Sequence, residues 1–284
     1  MADVRLIHGD CTAILPTLAG GSVDCVITDP PYPCIKRSYG TWTEAEWWEL
    51  MRAVVPECMR ILKPAGSAVF ILQPNSERVG RMRTWLWEFM VWVGREWGIV
   101  QDAWWWNTAA MPSAGATIEG LLRGSLKACI WVGPEDCYRK QDAVLWEESE
   151  RQKALRATER AEYRRYPSGH SKNNTRMYAA ALKRGGVTPF NVLPIPNTRI
   201  GRGGHGAGTP DSLASWWLRY ICPPGGTVLD PFVGSGTVAL AALKQGKSAV
   251  GIERIPEYHA IATKRVAEEL AKSGESSPLF TEAV

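Results

Sequence analysis

The chain has no uninterrupted apolar run approaching the roughly 18 residues of a membrane-spanning helix, so no membrane is expected among its partners. Its opening, Met1-Ala2-Asp3-Val4-Arg5, lacks the apolar core of a secretory signal. Seven cysteines, an odd set, include no Cys-x-x-Cys spacing. That pattern argues against a zinc site or a disulfide framework and suits a reducing compartment; no metal is expected. Internal repeats and low-complexity tracts are missing too.

What is present reads as globular. With 284 residues, 45% hydrophobic and 22% charged, the chain can form one large domain or a domain with an inserted lobe. The net charge is only +4, but it is unevenly spread. Between 151 and 203, twelve basic side chains face only Glu159 and Glu162, a balance of +10 that leaves −6 for the rest. A solvated basic face is the bland reading, and a polyanion-binding lobe is the functional one. Arg156, Arg160, Arg164, Arg165, Lys172 and Arg176 are the candidate nucleic-acid contacts there, joined by Lys36 and Arg37 from the loop 33–40.

Periodicity places the elements. A short strand ends at Gly9-Asp10, and a brief helix over 11–19 carries Ile14, Leu15 and Leu18 on one face. Val23 to Thr28 is a buried strand. Thr43 and Glu46 form a capping box for a helix reaching about Leu62, with Trp47, Leu50, Val54 and Met59 at helical spacing. Further strands are expected at 67–72, 104–106 and 128–132, and a helix at 78–97. For Trp104, Trp105 and Trp106, core packing competes with base stacking. Apolar periodicity weakens over 134–190. It returns at 191–195, then in a helix begun by Pro210-Asp211-Ser212, a strand 227–230, a helix 237–245, a strand 247–253 and a helix 256–272. The polar tail after Ser273 is expected to fray. The chain thus divides into 1–133, a separate stretch 134–190, and 191–284.

Two stretches carry chemistry. Asp29-Pro30-Pro31-Tyr32 closes the strand 23–28. Two prolines fix φ, donate no N–H and make a stiff corner bearing a carboxylate, carbonyls and a ring, at the strand edge where open α/β sheets bind ligands. The second is a strand–turn–helix–strand unit, Thr227 to Glu253, with Asp230-Pro231-Phe232-Val233-Gly234-Ser235-Gly236-Thr237 at its turn. Gly234 and Gly236 let the backbone approach a ligand, and Glu253 can accept both hydroxyls of a ribose. The third glycine of a dinucleotide fingerprint is absent. An Asp ahead of the turn suits a cationic amino group, which points to S-adenosylmethionine.

Together these motifs resemble the amino-group DNA methyltransferases, which modify adenine N6 or cytosine N4. The tetrapeptide precedes the cofactor loop, as in the circularly permuted β group. Ile7-His8-Gly9-Asp10, Ile61-Leu62-Lys63-Pro64-Ala65-Gly66 and Gly251-Ile252-Glu253 extend the likeness over nearly the whole chain except 134–190. The resemblance implies a Rossmann-like class I methyltransferase fold: a mostly parallel seven-stranded sheet with an inserted basic target-recognition region. It implies that Asp29 and the Pro30 carbonyl accept hydrogen bonds from the target amino group, with Pro31 stiffening the corner and Tyr32 stacking on a flipped base. Asp10 and Cys11, Asp230, Pro231, Phe232, Gly234, Ser235, Gly236, Thr237 and Glu253 would bind the cofactor, Asp230 at its methionine end and Glu253 at its ribose. Double-stranded DNA is the implied substrate, in the cytoplasm of a bacterial or phage-infected cell beside its nucleoid. The resemblance leaves room for a homodimer and for a cognate restriction endonuclease.

Two features depart from the family pattern. Gly208-Thr209-Pro210 stands where a Lys often precedes the proline, and Pro33-Cys34 mimics the nucleophile of carbon-5 enzymes, which amino methylation does not need. Asp29 favours adenine N6. Cytosine N4, a catalytically silent DNA-binding protein, and methylation of RNA or of a protein glutamine are the alternatives.

Overall fold

The computed structural model describes residues 2–37, 40–110, 120–122, 124–147, 184–197, 208–273 and 279–283. The chain forms two compact units, one of residues 1–139 with 191–284 and one of residues 140–190. In the smaller unit a short turn at Gln141–Ala143 is followed by a bridge between Trp146 and Val187, and Arg184 donates to Gln141 Oε1 at 2.6 Å.

The larger unit is an α/β fold on a mostly parallel sheet. Its elements are β1 (Val4–His8), α1 (Cys11–Ile14), β2 (Val23–Thr28), α2 (Glu44–Ile61), β3 (Leu62–Leu72), β4 (Ser76–Arg78), β5 (Arg81–Met82), α3 (Trp85–Glu96), β6 (Ile99–Gln101), β7 (Trp104–Trp106), β8 (Leu126–Val132), β9 (Val192–Pro194), α4 (Asp211–Ile221), β10 (Thr227–Asp230), α5 (Thr237–Leu243), β11 (Ser248–Glu253), α6 (Pro256–Ser273) and β12 (Leu279–Ala283). The strand order is β12-β1-β11-β10-β2-β3-β8-β7-β9, with β6 also on β8. Strands from β12 to β3 run parallel, whereas β8 pairs antiparallel with β3, β6 and β7.

This order makes the site. β2, near the start of the chain, lies beside β10, near its end, with Cys25 opposite Val228 and Val26 opposite Leu229. The two strands therefore deliver their carboxyl ends side by side, at the point in an open sheet where ligands bind. Four hydrophobic residues of the six in Val23–Thr28 leave little reason for the strand to face water, and Cys25, Val26 and Ile27 are fully buried. α2 covers one face with Trp47, Met51, Val54, Val55, Cys58 and Ile61. Its capping box is in place: Thr43 Oγ1 accepts from Glu46 N at 3.2 Å, and Glu46 Oε2 accepts from Thr43 N at 2.7 Å.

Four local expectations need correction. Among the described residues the sheet has ten strands rather than seven, because short segments at its far edge and the tail join it. The helix expected over 78–97 starts at Trp85; before it, Ser76–Met82 folds into the β4–β5 hairpin, turned at Gly80 with φ +76°. The helix expected over 11–19 is one α-turn followed by a 3-10 turn at Leu15–Thr17, where Pro16 enters. The tail is not frayed throughout: β12 pairs with β1 over five residues, satisfying an edge that would otherwise present bare N–H and C=O groups. No helix among the described residues is long and apolar enough to cross a membrane, and no group of three or more described His, Cys, Asp or Glu could hold a metal ion.

Candidate active site

A cleft of about 1080 Å³ opens along the carboxyl ends of β1, β11, β10 and β2. That exceeds the roughly 300–1,000 Å³ typical of one small-molecule site, so it has room for two groups. Asp29, Pro30, Pro31, Tyr32, Lys36 and Arg37 line one part of it; Asp10, Cys11, Asp230, Pro231, Phe232, Gly234, Ser235, Thr237 and Glu253 line the other. Gly236 is not in the lining. Its φ of +81° instead caps the start of α5, and a Cβ there would lie 3.0 Å from that of Ala262. Arg156, Arg160, Arg164, Arg165, Lys172 and Arg176 lie outside the described residues.

The corner is braced from behind. Trp47 donates its indole N–H to the Pro31 carbonyl at 2.7 Å, and Asn75 donates to the Pro33 carbonyl at 2.6 Å. Among the described residues no donor engages the Pro30 carbonyl. The Tyr32 hydroxyl donates to Asp29 Oδ1, and Thr209 Oγ1 donates to Asp29 Oδ2 at 2.9 Å. Lys127 Nζ lies 3.0 Å from Tyr32 Oη and 3.6 Å from Asp29 Oδ2. The tyrosine ring is 6% exposed, with the lysine ammonium 5.2 Å from its centroid. The loop that follows is closed by Cys34 N bonding Trp42 O at 2.7 Å and by a reciprocal pair between Arg37 and Gly40. Cys34 itself is exposed, at φ +60°, and is not in the cleft lining.

The two motifs touch through one hydroxyl. Thr28 Oγ1, at the end of β2, donates to Asp230 Oδ1 at 2.7 Å, and Phe232 N donates to the same oxygen at 3.1 Å. Burial pushes the Asp230 carboxyl up to about 7, with the two donors pulling the other way. Glu253 accepts from Gly234 N at 2.9 Å and Ile255 N at 2.8 Å, which ties the acid at the end of β11 to the glycine turn. Its carboxyl is also raised, again chiefly by burial. Asp10 caps α1, with Oδ1 accepting from Thr12 N at 2.9 Å. Burial holds the Cys11 thiol protonated, up to about 12. In the tryptophan strand, Trp105 is fully buried and donates to Ile195 O at 2.8 Å, while Trp106 is 44% exposed.

Sequence reasoning missed Thr28, Thr209, Lys127 and Trp47 as parts of the site. Two signals were available: Thr28 abuts Asp29, and Lys127 is a lone charge near the start of an otherwise apolar strand. In the sequence Thr209 is only a departure from a pattern, and its contact lies 180 residues away in the chain.

The family model described as DNA methylase, covering N6 and N4 enzymes, matches residues 23–264. The chain belongs to that family of DNA methylases. Over 290 residues it is 28% identical to the DNA adenine methyltransferase YhdJ of Escherichia coli (strain K12), covering 94% of this chain and 86% of that one. Its fold matches that of the PvuII DNA methyltransferase (cytosine-N4-specific) with TM-score 0.70 and 19% identity, over 100% of this chain and 95% of the other. The M1.HpyAVI–SAM complex matches with TM-score 0.58 and 17% identity, over 93% and 98%. Both structural matches establish a class I methyltransferase-like architecture.

Proposed function

We propose that the chain transfers a methyl group from S-adenosylmethionine to adenine N6 in DNA, after the target base has left the duplex. The observation that carries this reading is the pairing of β2 with β10, which brings the Asp29–Tyr32 corner and the Asp230–Thr237 turn into one cleft. YhdJ, whose name gives adenine as its substrate, supports the choice of base, as does an aspartate at the head of the tetrapeptide. The PvuII enzyme, named cytosine-N4-specific, supports cytosine N4 as the second reading.

The cleft fits the cofactor. Gly234, at φ +52°, presents backbone without a Cβ. Asp230 is a buried carboxylate that a cationic ligand would draw back into its charged form. When bound, S-adenosylmethionine supplies an electrophilic methyl on a sulfonium. Asp230 would hold its methionine end, Glu253 its ribose, Asp10 and Cys11 its adenine side, and Phe232, Pro231, Ser235 and Thr237 the walls between.

The chain's own chemistry is to remake a poor nucleophile. An exocyclic amino nitrogen shares its lone pair with the ring. A carboxylate at Asp29 and the Pro30 carbonyl, both acceptors on a corner that cannot flex, take its two hydrogens and draw it toward tetrahedral geometry. The lone pair is then free to attack in line. The methylated nitrogen sheds one proton, and Asp29 is the acceptor within reach. Tyr32 supplies an aromatic surface for the extruded base. Lys36 and Arg37 beside the cleft, with Arg156, Arg160, Arg164, Arg165, Lys172 and Arg176 in the 134–190 recognition region, would contact the DNA backbone.

Incubating the protein with duplex DNA and labelled S-adenosylmethionine, then digesting the DNA for mass spectrometry, tests both levels. N6-methyladenine is the expected product. N4-methylcytosine would transfer the assignment to the second reading, and the absence of either would overturn the reaction. Asp29→Ala should lower transfer at least about a hundredfold while cofactor affinity changes little.

A further inference from the structure

Lys127 is the one described lysine that is enclosed at the corner, and nothing in the proposed reaction uses it directly. It is the second residue of β8, which runs antiparallel to β3, with Ala128 opposite Leu72. The amino end of β8 therefore lies beside the carboxyl end of β3, behind the corner that closes β2. On its other side β8 pairs with β7, and Lys127 stands directly across from Trp105. The ammonium ends 5.0 Å from the Trp105 ring centroid and 5.2 Å from that of Tyr32, with the residue 9% exposed.

A cation so enclosed gives up most of its hydration, which its surroundings must replace. The replacements are specific: the faces of two rings, the Tyr32 hydroxyl oxygen at 3.0 Å and the Asp29 carboxylate at 3.6 Å. Since Lys127 donates to Tyr32 Oη, the hydroxyl proton is directed to its acceptor, Asp29 Oδ1. Asp29 Oδ2 is held from another side by Thr209 Oγ1 at 2.9 Å. The carboxylate is thus fixed through both oxygens. An ionised carboxylate has about four acceptor positions, so each oxygen keeps one for an incoming amino group.

We propose that Lys127 is a positioning residue for methyl transfer: through Tyr32 Oη, and with Thr209, it fixes the Asp29 carboxylate so that its remaining acceptor positions face the target nitrogen. This rests on the transfer reaction proposed above. Lys127 touches neither base nor cofactor in this role, so its loss acts on the rate of the bound complex and leaves cofactor binding alone.

The test compares wild type, Lys127→Met, Tyr32→Phe and the double variant in single-turnover methylation at saturating DNA and cofactor, with cofactor Kd from calorimetry. Lys127→Met is expected to slow transfer about ten- to hundredfold, the scale of a small misplacement of a reacting group, with Kd within about twofold. In the Tyr32→Phe background the same substitution should cost less than about threefold, because its relay is already gone. Equal losses in the two backgrounds, a wild-type rate for Lys127→Met, or a parallel loss of cofactor binding would each overturn the proposal. Should Lys127→Met fail to fold, Lys127→Gln carries the test: it keeps a donor for Tyr32 without the charge, so an intermediate rate is expected and a wild-type rate overturns the assignment. Transfer by the wild type but none lost in the variants sinks only the role of Lys127; no transfer by the wild type sinks the reading of the site.

Discussion

Burial sets the behaviour of Asp230 before any ligand arrives. The residue is 5% exposed, and its carboxyl is held up to about 7 against an ordinary 3.8, desolvation outweighing the Thr28 and Phe232 donors. The sign of the consequence is fixed. Between pH 4 and 7 the folded chain keeps a proton that the unfolded chain has released, so stability is full below that window and falls as pH rises through it. At about 1.4 kcal/mol per pH unit the loss is bounded at about 4 kcal/mol, and Glu253, raised in the same direction by burial, adds to it. Asp230→Asn should flatten the profile in urea titrations at stepped pH; an unchanged slope would dismiss the account. A cation bound at Asp230 should also expel its proton near neutral pH, so calorimetric enthalpies of cofactor binding should differ between buffers of different ionisation enthalpy. At this scale the sequence disclosed the acids but not their partners. Thr28 and Asp230 are 202 positions apart, and Tyr32 and Lys127 are 95 apart, separations that only the strand order closes.

Elements with a local cause were legible, and those with a distant cause were not. The capping box at Thr43 and Glu46 needs three residues and physical chemistry, and it formed as read. The hairpin at Ser76–Met82 reads in sequence as part of the helix that follows, because its strands are too short to show a period of two, while the apolar spacing from Trp85 onward is strong. β12 follows a polar stretch and is held by a neighbour at the other end of the chain. Gly236 belongs to the legible set, although its role differs from the one its motif suggested. At φ +81° it begins α5, and an added Cβ would meet Ala262 Cβ at 3.0 Å and Cα at 3.1 Å. Left-handed backbone costs a side chain roughly 1–2 kcal/mol, and the contact with α6 adds to that. Gly236→Ala should therefore destabilise the chain by about 1–3 kcal/mol in denaturant unfolding and weaken cofactor binding with it. Full stability would mean that the turn relaxes without cost.

At the scale of the whole molecule, charge is sorted along the chain. The stretch 151–203 carries +10 within a total of +4, so the chain would approach DNA through that stretch while its remaining residues, at −6, are net acidic. Such sorting favours a protein that grips phosphates in one place and does chemistry in another. Phosphate contacts release counterions, so log K for DNA falls with log salt at about 0.9 per neutralised phosphate. Replacing Arg156, Arg160, Arg164 and Arg165 together by Gln should reduce that slope by up to about 3–4 if all four contact backbone, across cognate and non-cognate duplexes alike. Cofactor affinity, governed by the cleft at β10 and β11, should not move. The Lys36→Ala and Arg37→Ala pair, at the cleft itself, should reduce the slope by no more than about 2 while also lowering the transfer rate, because those residues line the space the extruded base would occupy. Fluorescence-anisotropy titrations over a range of potassium chloride concentrations separate the cases. A slope unchanged by the fourfold replacement would mean that the basic insertion is a solvated face and that the DNA is held elsewhere.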